Sequence, residues 1–269
     1  MSVLLQVSDT HFGTERLPVV EALARLSLQQ RPDLMVLSGD ITQRARPGQF
    51  REARAFVNRL GTPVLAIPGN HDIPLFDLGA RLHHPYSRYC SAFGDELEPV
   101  HSSRELLVVC LNTTRWYLRK NGEVSPEQID QVAKRLALAG PEQLRVVVVH
   151  QPVAVVRAGD VPNLLRGHAA ALQRWADAGA DLVMGGHIHL PYVTALTNLA
   201  RPMWAVQAGT AVSSRVRHGF PNSVNLVRWG LGVPEGHCVI ERWDYAATCQ
   251  SFVRKAVTEV KPGRMTHEG

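Results

Sequence analysis

The sequence predicts an α/β protein built from layers of strands and helices. Over the first two thirds of the 269 residues, short apolar runs alternate with stretches of helical periodicity. Glycine, proline and polar residues separate these segments, as turns require. After Gly185 the pattern changes to successive β-rich stretches with turn residues between them. The alternation of strands and helices therefore favours α/β layering.

Each predicted element has a local signal. Six apolar runs are predicted strands, at residues 3–7, 34–37, 64–67, 106–111, 146–149 and 182–184. Helical periodicity covers residues 18–30, 49–60, 126–139 and 164–178. The third of these helices has a clear start, with Ser125 at the N-cap and Pro126 at the first helical position.

The last third predicts five more strands and an irregular tail. The β-rich stretches are residues 192–196, 203–207, 223–229, 237–243 and 251–257. Residues 261–269 are polar, contain Pro and Gly, and are predicted to be disordered. Since the chain has no internal repeat or linker, we interpret residues 1–260 as a single domain.

Composition and charge leave the choice of partner open. Hydrophobic residues make up 45% and charged residues 20%, which is ordinary for a soluble enzyme. The net charge is +5, and most of the 29 basic residues are arginines. Arginine suits bidentate contacts to phosphate, so an anionic substrate is one interpretation, and a solvated surface shaped by genomic bias is the other. Nucleic acid binding is not indicated, because no block of like charges occurs.

The apolar runs and the cysteines both predict a cytoplasmic protein. No run approaches the ~20 apolar residues that span a bilayer. The first run ends in Ser8-Asp9, with no basic region before it and no cleavage site after it, so it is a strand and not a signal peptide. None of the four cysteines forms a CxxC pair, and free thiols are expected.

The polar residues that follow the predicted strands carry the chemical information. Five strands lead into Asp9-Thr10-His11, Gly39-Asp40, Gly69-Asn70-His71-Asp72, His150 and Gly186-His187-Ile188-His189. Open α/β sheets place their sites at the carboxyl ends of strands. Carboxylate, carboxamide and imidazole ligands suit Mn, Fe, Zn or similar ions, and the absence of thiolates excludes a structural zinc site. One such piece is ordinary turn chemistry, but five in order predict a metal site.

This series resembles the calcineurin-like metallophosphoesterase superfamily, over about residues 3–190. The Gly-Asn-His-Asp segment and residues 122–128 are similar to bacterial class III cyclic-nucleotide phosphodiesterase-like proteins. The resemblance implies a four-layer α/β/β/α sandwich with two divalent metal ions. It implies two ligand sets: Asp9, His11 and His189 for one ion, Asn70, His150 and His187 for the second, and Asp40 as the bridge.

A hydrolytic mechanism follows from such a centre. Two cations acidify a bridging water and neutralise the phosphoryl oxygens during in-line attack. His71 lies next to Asn70 but outside the ligand set, so it is the candidate general acid. For Asp72 two roles stay open: it orients His71, or it caps a helix that begins at Ile73.

The substrate is predicted only as a class. A small phosphodiester is expected, with cyclic nucleotides as one candidate. Phosphomonoesters, lipid pyrophosphates and nucleic acids remain alternatives, as does a metal-binding interaction module without turnover. Protein phosphatase activity is disfavoured, because residues 41–45 lack the second Asp and the Arg of that group. Two segments that combine cations with aromatic residues, 81–89 and 213–222, are candidates to bind the substrate, and Arg215 and Arg217 are the predicted contacts.

Overall fold

The computed structural model describes residues 1–263, so most of the predicted disordered tail lies outside the described residues. The strands are β1 (Ser2–Val7), β2 (Leu34–Ser38), β3 (Val64–Ile67), β4 (Val100–Ser102), β5 (Leu106–Cys110), β6 (Leu144–Val148), β7 (Leu182–Gly185), β8 (Tyr192–Leu196), β9 (Met203–Gln207), β10 (Ser223–Trp229), β11 (Cys238–Ala246) and β12 (Ser251–Val260). The α-helices are α1 (Leu17–Gln30), α2 (Pro47–Leu60), α3 (Leu78–His83), α4 (Ser87–Phe93), α5 (Pro126–Ala137) and α6 (His168–Asp177), and two 3-10 helices span Asn70–Asp72 and Ala158–Asn163.

The strands form two six-stranded mixed sheets. The first has the order β12-β11-β10-β1-β2-β3, and the second has the order β4-β5-β6-β7-β9-β8. β1, β2 and β3 run parallel, as do β5, β6, β7 and β9. Two hydrogen bonds tie the carboxyl ends of the sheets together: His150 Nδ1 lies 2.8 Å from the Ser38 carbonyl, and Gln6 Nε2 lies 3.0 Å from the Gly185 carbonyl. The parallel strands of both sheets therefore end at one place.

Alternation along the strands builds three apolar layers. In β1, Leu5 and Val7 pack towards α1 and α2, whereas Leu4 faces the second sheet. In β5, Val109 packs towards α5 and α6, whereas Val108 faces the first sheet. Since successive side chains of a strand point to opposite faces, each central strand contributes to two layers. The predicted α/β/β/α sandwich is confirmed. That residues 1–260 form one domain stays a prediction, which the shared layer between the sheets supports.

Most helix and strand boundaries in the structure lie within a few residues of those that the sequence predicted. Ser125 caps α5 as predicted: its hydroxyl accepts from Gln128 N at 3.2 Å, and Gln128 Oε1 accepts from Ser125 N at 3.1 Å. The predicted helix 164–178 starts later, at His168, because Gly167 at φ 85° follows a 3-10 turn. The short elements α3, α4 and β4 were not predicted. Among residues 1–263, no helix has the length and apolar character that a bilayer crossing demands.

Candidate metal centre

The seven predicted metal ligands converge where the parallel strands end. Each follows a strand: Asp9 and His11 after β1, Asp40 after β2, Asn70 after β3, His150 after β6, and His187 and His189 after β7. The first and last thirds of the chain meet there, because β1 and β7 lie in the two facing sheets. Their convergence is therefore a product of the tertiary fold.

Six of the seven ligands form two clusters that share one carboxylate. Asp9, His11, Asp40 and His189 form the first, and Asp40, His150 and His187 form the second, with donor atoms within 4.8 Å of one another in each. His189 Nε2 lies 3.2 Å from Asp9 Oδ1, and His11 Nε2 lies 3.8 Å from Asp40 Oδ2. His150 Nε2 lies 3.2 Å from the other Asp40 oxygen, Oδ1. Asp40 thus presents one oxygen to each cluster, as a bridging ligand does.

Several ligand atoms have no hydrogen-bond partner, which indicates whether metal ions fit this site. Asn70 Oδ1 and both ring nitrogens of His187 are buried and make no hydrogen bond. Buried polar atoms without partners are costly, and metal coordination would satisfy these. His150 Nδ1 donates to the Ser38 carbonyl at 2.8 Å, which orients Nε2 towards Asp40 in the second cluster. The residues fit two divalent ions, one in each cluster.

The charge states of three ligands suit metal ligation, whereas His150 has to lose a proton. Burial on its own would lower the pKa of His150, but the Asp40 carboxylate outweighs it and raises the value to about 9. Burial lowers the pKa of His11 to about 3, and burial together with the neighbouring His150 lowers that of His187 to about 3, so both rings are neutral. Burial on its own would raise the pKa of Asp9, but His189 and His150 outweigh it and lower the value to about 2. Neutral imidazoles and an ionised carboxylate are the forms that bind cations.

The backbone at the ligands is strained. Asp9, His11, Asp40, His187 and His189 all have positive φ, between 42° and 73°. A residue with a Cβ pays of order 1–3 kcal/mol in this region. Asp9 N donates to the Gly39 carbonyl at 3.1 Å and His11 N to the Asp40 carbonyl at 3.0 Å, so hydrogen bonds between the loops hold this conformation. Strain concentrated at the predicted ligands is typical of a functional site.

Two glycines let the loops approach closely. Gly39 has φ 90°, and a Cβ there would overlap the His150 ring. A Cβ at Gly69 would overlap the backbone of Asp40. The β2 and β3 loops can therefore meet only because these positions lack side chains.

Neither predicted role of Asp72 agrees with the structure. No helix begins at Ile73, which is extended at φ −97° and ψ 129°, so the capping prediction is wrong. Nor does the carboxylate contact the His71 ring. It is fully buried and accepts from Gly69 N, Ile41 N, Thr42 N and Thr42 Oγ1 at 2.8–3.0 Å. Asp72 joins the β2 loop to the β3 loop, because both loops turn their amides towards it.

His71 and Arg215 lie together beside the first cluster. His71 Nδ1 lies 2.9 Å from the Gln43 carbonyl, so Nδ1 carries a proton. Nε2 lies 3.1 Å from Arg215 Nη1, and since a guanidinium only donates, Nε2 is the acceptor. The His71 ring packs edge-on against His11, with 4.9 Å between ring centroids. His71 belongs to neither ligand cluster.

A cavity of about 590 Å³ opens onto the centre. It is lined by Asp40, Asn70, His71, Arg119, Lys120, Asp160, Asn163, His187, Ile188, His189, Arg215 and Arg217. Both predicted arginines are among these residues. Arg217 donates to Asp160 Oδ1 at 2.9 Å and to the Ile188 carbonyl at 3.2 Å. The second candidate segment, 213–222, therefore reaches the cavity.

Sequence reasoning missed four lining residues: Arg119, Lys120, Asp160 and Asn163. They lie in loops after β5 and β6 that carry no motif. The one pattern in the sequence that could have indicated them is the spacing of Asp160 and Asn163. They are three residues apart, as residues on one face of a 3-10 helix are. Long-range packing brings these loops over the site.

The first candidate segment, 81–89, does not line the cavity. It folds into α3 and α4, where Arg81 and Tyr89 donate to backbone carbonyls and Arg88 pairs with the Asp77 carboxylate. Arg81 donates to Leu118 O at 2.7 Å, and the Tyr89 hydroxyl donates to Ala66 O at 2.7 Å. Cations and aromatic side chains there serve packing, which the sequence could not distinguish from binding.

Comparisons with known proteins agree with this geometry. The family model for calcineurin-like phosphoesterases matches residues 2–191. A protein of Synechococcus sp. named "Probable cyclic nucleotide phosphodiesterase" is 27% identical, over 71% of this chain and 74% of its own. A cAMP/cGMP dual specificity phosphodiesterase of Mycobacterium tuberculosis is 29% identical, over 77% of this chain and 67% of its own.

A dimetal phosphatase from Danio rerio shares the fold, with a TM-score of 0.69 and 15% identity, over 97% of this chain and 99% of that chain. The matched region contains every residue of the two ligand clusters. The chain belongs to the calcineurin-like phosphoesterase family.

Proposed function

We propose that this protein is a metal-dependent phosphodiesterase that hydrolyses small phosphodiesters. The observation that carries the proposal is the pair of ligand clusters sharing Asp40, at the base of a cavity lined by His71 and Arg215. All seven ligand-type side chains are in place, which favours turnover over a metal-binding module without activity. Two relatives are named as cyclic nucleotide phosphodiesterases, which supports diesters as the substrate class.

The chain's own residues have distinct tasks in this reaction. Two divalent ions bound by the clusters would supply Lewis acidity to water and to the phosphoryl oxygens. Arg215 binds a phosphoryl oxygen through its planar guanidinium. His71 then protonates the leaving alkoxide from Nε2. Asp72 acts as a positioning residue, because it holds the loops of Asp40 and Asn70 in register.

Arg215 and His71 have to separate for this chemistry to occur. Nε2 of His71 accepts from Arg215 at 3.1 Å, and in that state it has no proton to give. A phosphate in the cavity competes for the guanidinium, since a charged acceptor forms the stronger hydrogen bond. Substrate binding would thus free Nε2 to take up a proton before bond cleavage.

A comparison of substrates tests the proposal. The purified protein, reconstituted with Mn²⁺ or Zn²⁺, is assayed on bis-p-nitrophenyl phosphate and p-nitrophenyl phosphate, then on 3′,5′- and 2′,3′-cyclic nucleotides. We expect faster turnover of the diester. Faster turnover of the monoester, without cleavage of any cyclic nucleotide, would leave only a general phosphoesterase.

The arginines are tested by conservative substitution. Arg215→Lys keeps the charge but loses the bidentate geometry, so kcat/KM on the diester should fall about 10-fold or more. Arg217→Lys should also weaken turnover, because the flexible ammonium does not hold Asp160 and the Ile188 carbonyl together as the planar guanidinium does. Arg135→Lys, at an exposed site on α5, is the matched control. Unchanged kcat/KM in both test variants would show that segment 213–222 does not bind the substrate.

We also propose that the enzyme works in the cytoplasm on a small-molecule substrate. Cys90, Cys110 and Cys249 are free thiols, and Cys110 is buried, which suits a reducing compartment. Fractionation of the native host with a reporter on the full chain tests the location. Recovery in an exported fraction would contradict it.

A further inference from the structure

The 3-10 helix Ala158–Asn163 turns two polar side chains inwards. Asp160 is 4% exposed and Asn163 is 8% exposed, whereas Val161 between them is 53% exposed. A 3-10 helix has about three residues per turn, so residues i and i+3 lie on the same face. Both residues line the cavity that opens onto the metal centre. The turn therefore presents a paired polar face to whatever occupies the cavity.

Each of these residues keeps an oxygen that accepts no hydrogen bond. Asp160 Oδ1 accepts from Arg217 at 2.9 Å, but its Oδ2 is buried and unpartnered. Asn163 Oδ1 is buried and unpartnered as well. Asp160 belongs to neither ligand cluster, so metal binding does not satisfy its unpartnered oxygen. A buried acceptor without a donor costs free energy, and a donor supplied by the bound ligand would recover it.

The surrounding charge favours a neutral donor. Arg119, Lys120, Arg215 and Arg217 line the same cavity, and Arg217 already compensates Asp160. A cationic group, such as the ammonium of a headgroup, would enter a site that is rich in positive charge. A hydroxyl donates without this cost. The backbones of the two residues are one helical turn apart, about 6 Å along the axis, so a single ligand with two hydroxyls close together can contact both side chains.

We propose that Asp160 and Asn163 form a diol subsite, which binds adjacent hydroxyls of a polyhydroxy alcohol esterified to the phosphate. This rests on the proposed phosphodiesterase function and names its substrate class: a diester of a glycerol-like or ribose-like alcohol. Asp160 and Asn163 are specificity-determining residues, because they touch the alcohol and leave the phosphorus to the metal centre.

The subsite is rigidly connected to the centre. Arg217 bonds both Asp160 and the carbonyl of Ile188, which lies between the ligands His187 and His189. On the outer side, Asn121 Nδ2 donates to the Pro162 carbonyl at 2.9 Å. Because the subsite has a fixed position, it forms hydrogen bonds only with an alcohol whose hydroxyls match that position. The subsite therefore raises the selectivity of the enzyme for such alcohols.

Two matched pairs of p-nitrophenyl diesters test the subsite. Glyceryl p-nitrophenyl phosphate is compared with its propyl analogue, and a ribonucleoside 5′-(p-nitrophenyl phosphate) with its 2′,3′-dideoxy analogue. The leaving group is the same throughout, so a ratio of kcat/KM within a pair reports the hydroxyls alone. The native protein should prefer the hydroxylated member of at least one pair by about 10- to 100-fold. The pair that shows the preference distinguishes glycerol from ribose.

Variants assign the preference to the subsite. Asn163→Leu removes one of the two acceptors at similar side-chain size and leaves Asp160 in place. The kcat/KM ratio of the preferred pair should therefore fall several-fold, towards a value within about 3-fold of one. Asn58→Leu, on the exposed face of α2, should keep the native ratio. The kcat/KM ratio of the native protein is measured without any variant, so it still tests the subsite if either variant folds poorly.

Two outcomes are distinguishable. Turnover of bis-p-nitrophenyl phosphate with ratios near one in both pairs would overturn the diol subsite and leave the proposed function standing. A full native ratio in Asn163→Leu would also overturn it. No turnover of bis-p-nitrophenyl phosphate by the metal-loaded protein would overturn the proposed function itself.

Discussion

Replacing His71 by Ala separates proton donation from metal binding. The ring lies outside both ligand clusters. Its polar contacts are the Gln43 carbonyl at 2.9 Å and Arg215 at 3.1 Å, and its edge packs on the His11 ring. Removing it should leave every metal ligand in place, since the hydrogen bond from His71 N to Asp40 Oδ1 belongs to the backbone. We expect the variant to retain two ions per chain.

The expected loss depends on the leaving group. For an alkyl diester, loss of a general acid lowers kcat by about 10²- to 10⁴-fold, which corresponds to about 2.7–5.5 kcal/mol of activation free energy. Arg215 stays free to bind the phosphate, so this loss should be in kcat more than in KM. p-Nitrophenolate leaves without a proton, and the loss on bis-p-nitrophenyl phosphate should shrink to less than about 10-fold.

The assay measures kcat and KM on bis-p-nitrophenyl phosphate and on a methyl diester, with metal content determined by elemental analysis. His84→Ala, an exposed histidine outside the cavity lining, is the matched control. Equal losses on both substrates would refute proton donation and make His71 a phosphate-binding residue. Loss of an ion from the variant would make it a metal ligand.

Three further predictions concern the centre and the stability of the fold. Asp40→Ala removes the shared carboxylate, so elemental analysis should find fewer than two ions per chain and activity should disappear, as it should on chelation; intact turnover would refute the bridging role. Asp72→Asn replaces an acceptor of four short hydrogen bonds, and urea denaturation should show a loss of about 2–4 kcal/mol; an unchanged midpoint would contradict the buried contacts. Burial opposes ionisation of Glu241, but Trp243 and Arg228 outweigh it and lower its pKa. A lowered carboxyl pKa stabilises the folded state above the unfolded value of about 4.3, and the contribution is lost as the pH falls through the folded value. The unfolding free energy of the native protein should therefore fall more steeply below about pH 4 than that of Glu241→Gln, and parallel curves would exclude this contribution.

The sequence by itself determined the layers and the ligand types. Alternation of apolar residues defined the strands, and β3, β8, β9 and β10 have the bounds that the pattern predicted. Polar residues at strand ends stood out because a buried strand has to end where charged side chains begin. Both signals are local: the period of the strand predicts its bounds, and the chemistry of the side chains predicts the ligand types. Neither depends on the rest of the chain.

The sequence could not assign residues whose role depends on distant loops. Asp72 binds amides of the β2 loop about 30 residues away, so no local pattern indicates its partners. Asp160 and Asn163 lie in a short 3-10 helix without a motif. Residues 81–89 have the composition of a binding segment, and only the path of α3 and α4 shows that Arg81 and Tyr89 donate to backbone carbonyls instead.

Only the tertiary structure decided how the ligands meet. The left-handed backbone at Asp9 depends on the Gly39 carbonyl of another loop, and Asp9 in turn accepts from His187 N at 3.1 and 3.0 Å across the two sheets. The Ser38 carbonyl selects the tautomer of His150 in the same way. Ligand identity is a local property of side chains, whereas ligand geometry depends on hydrogen bonds between segments that packing alone brings together.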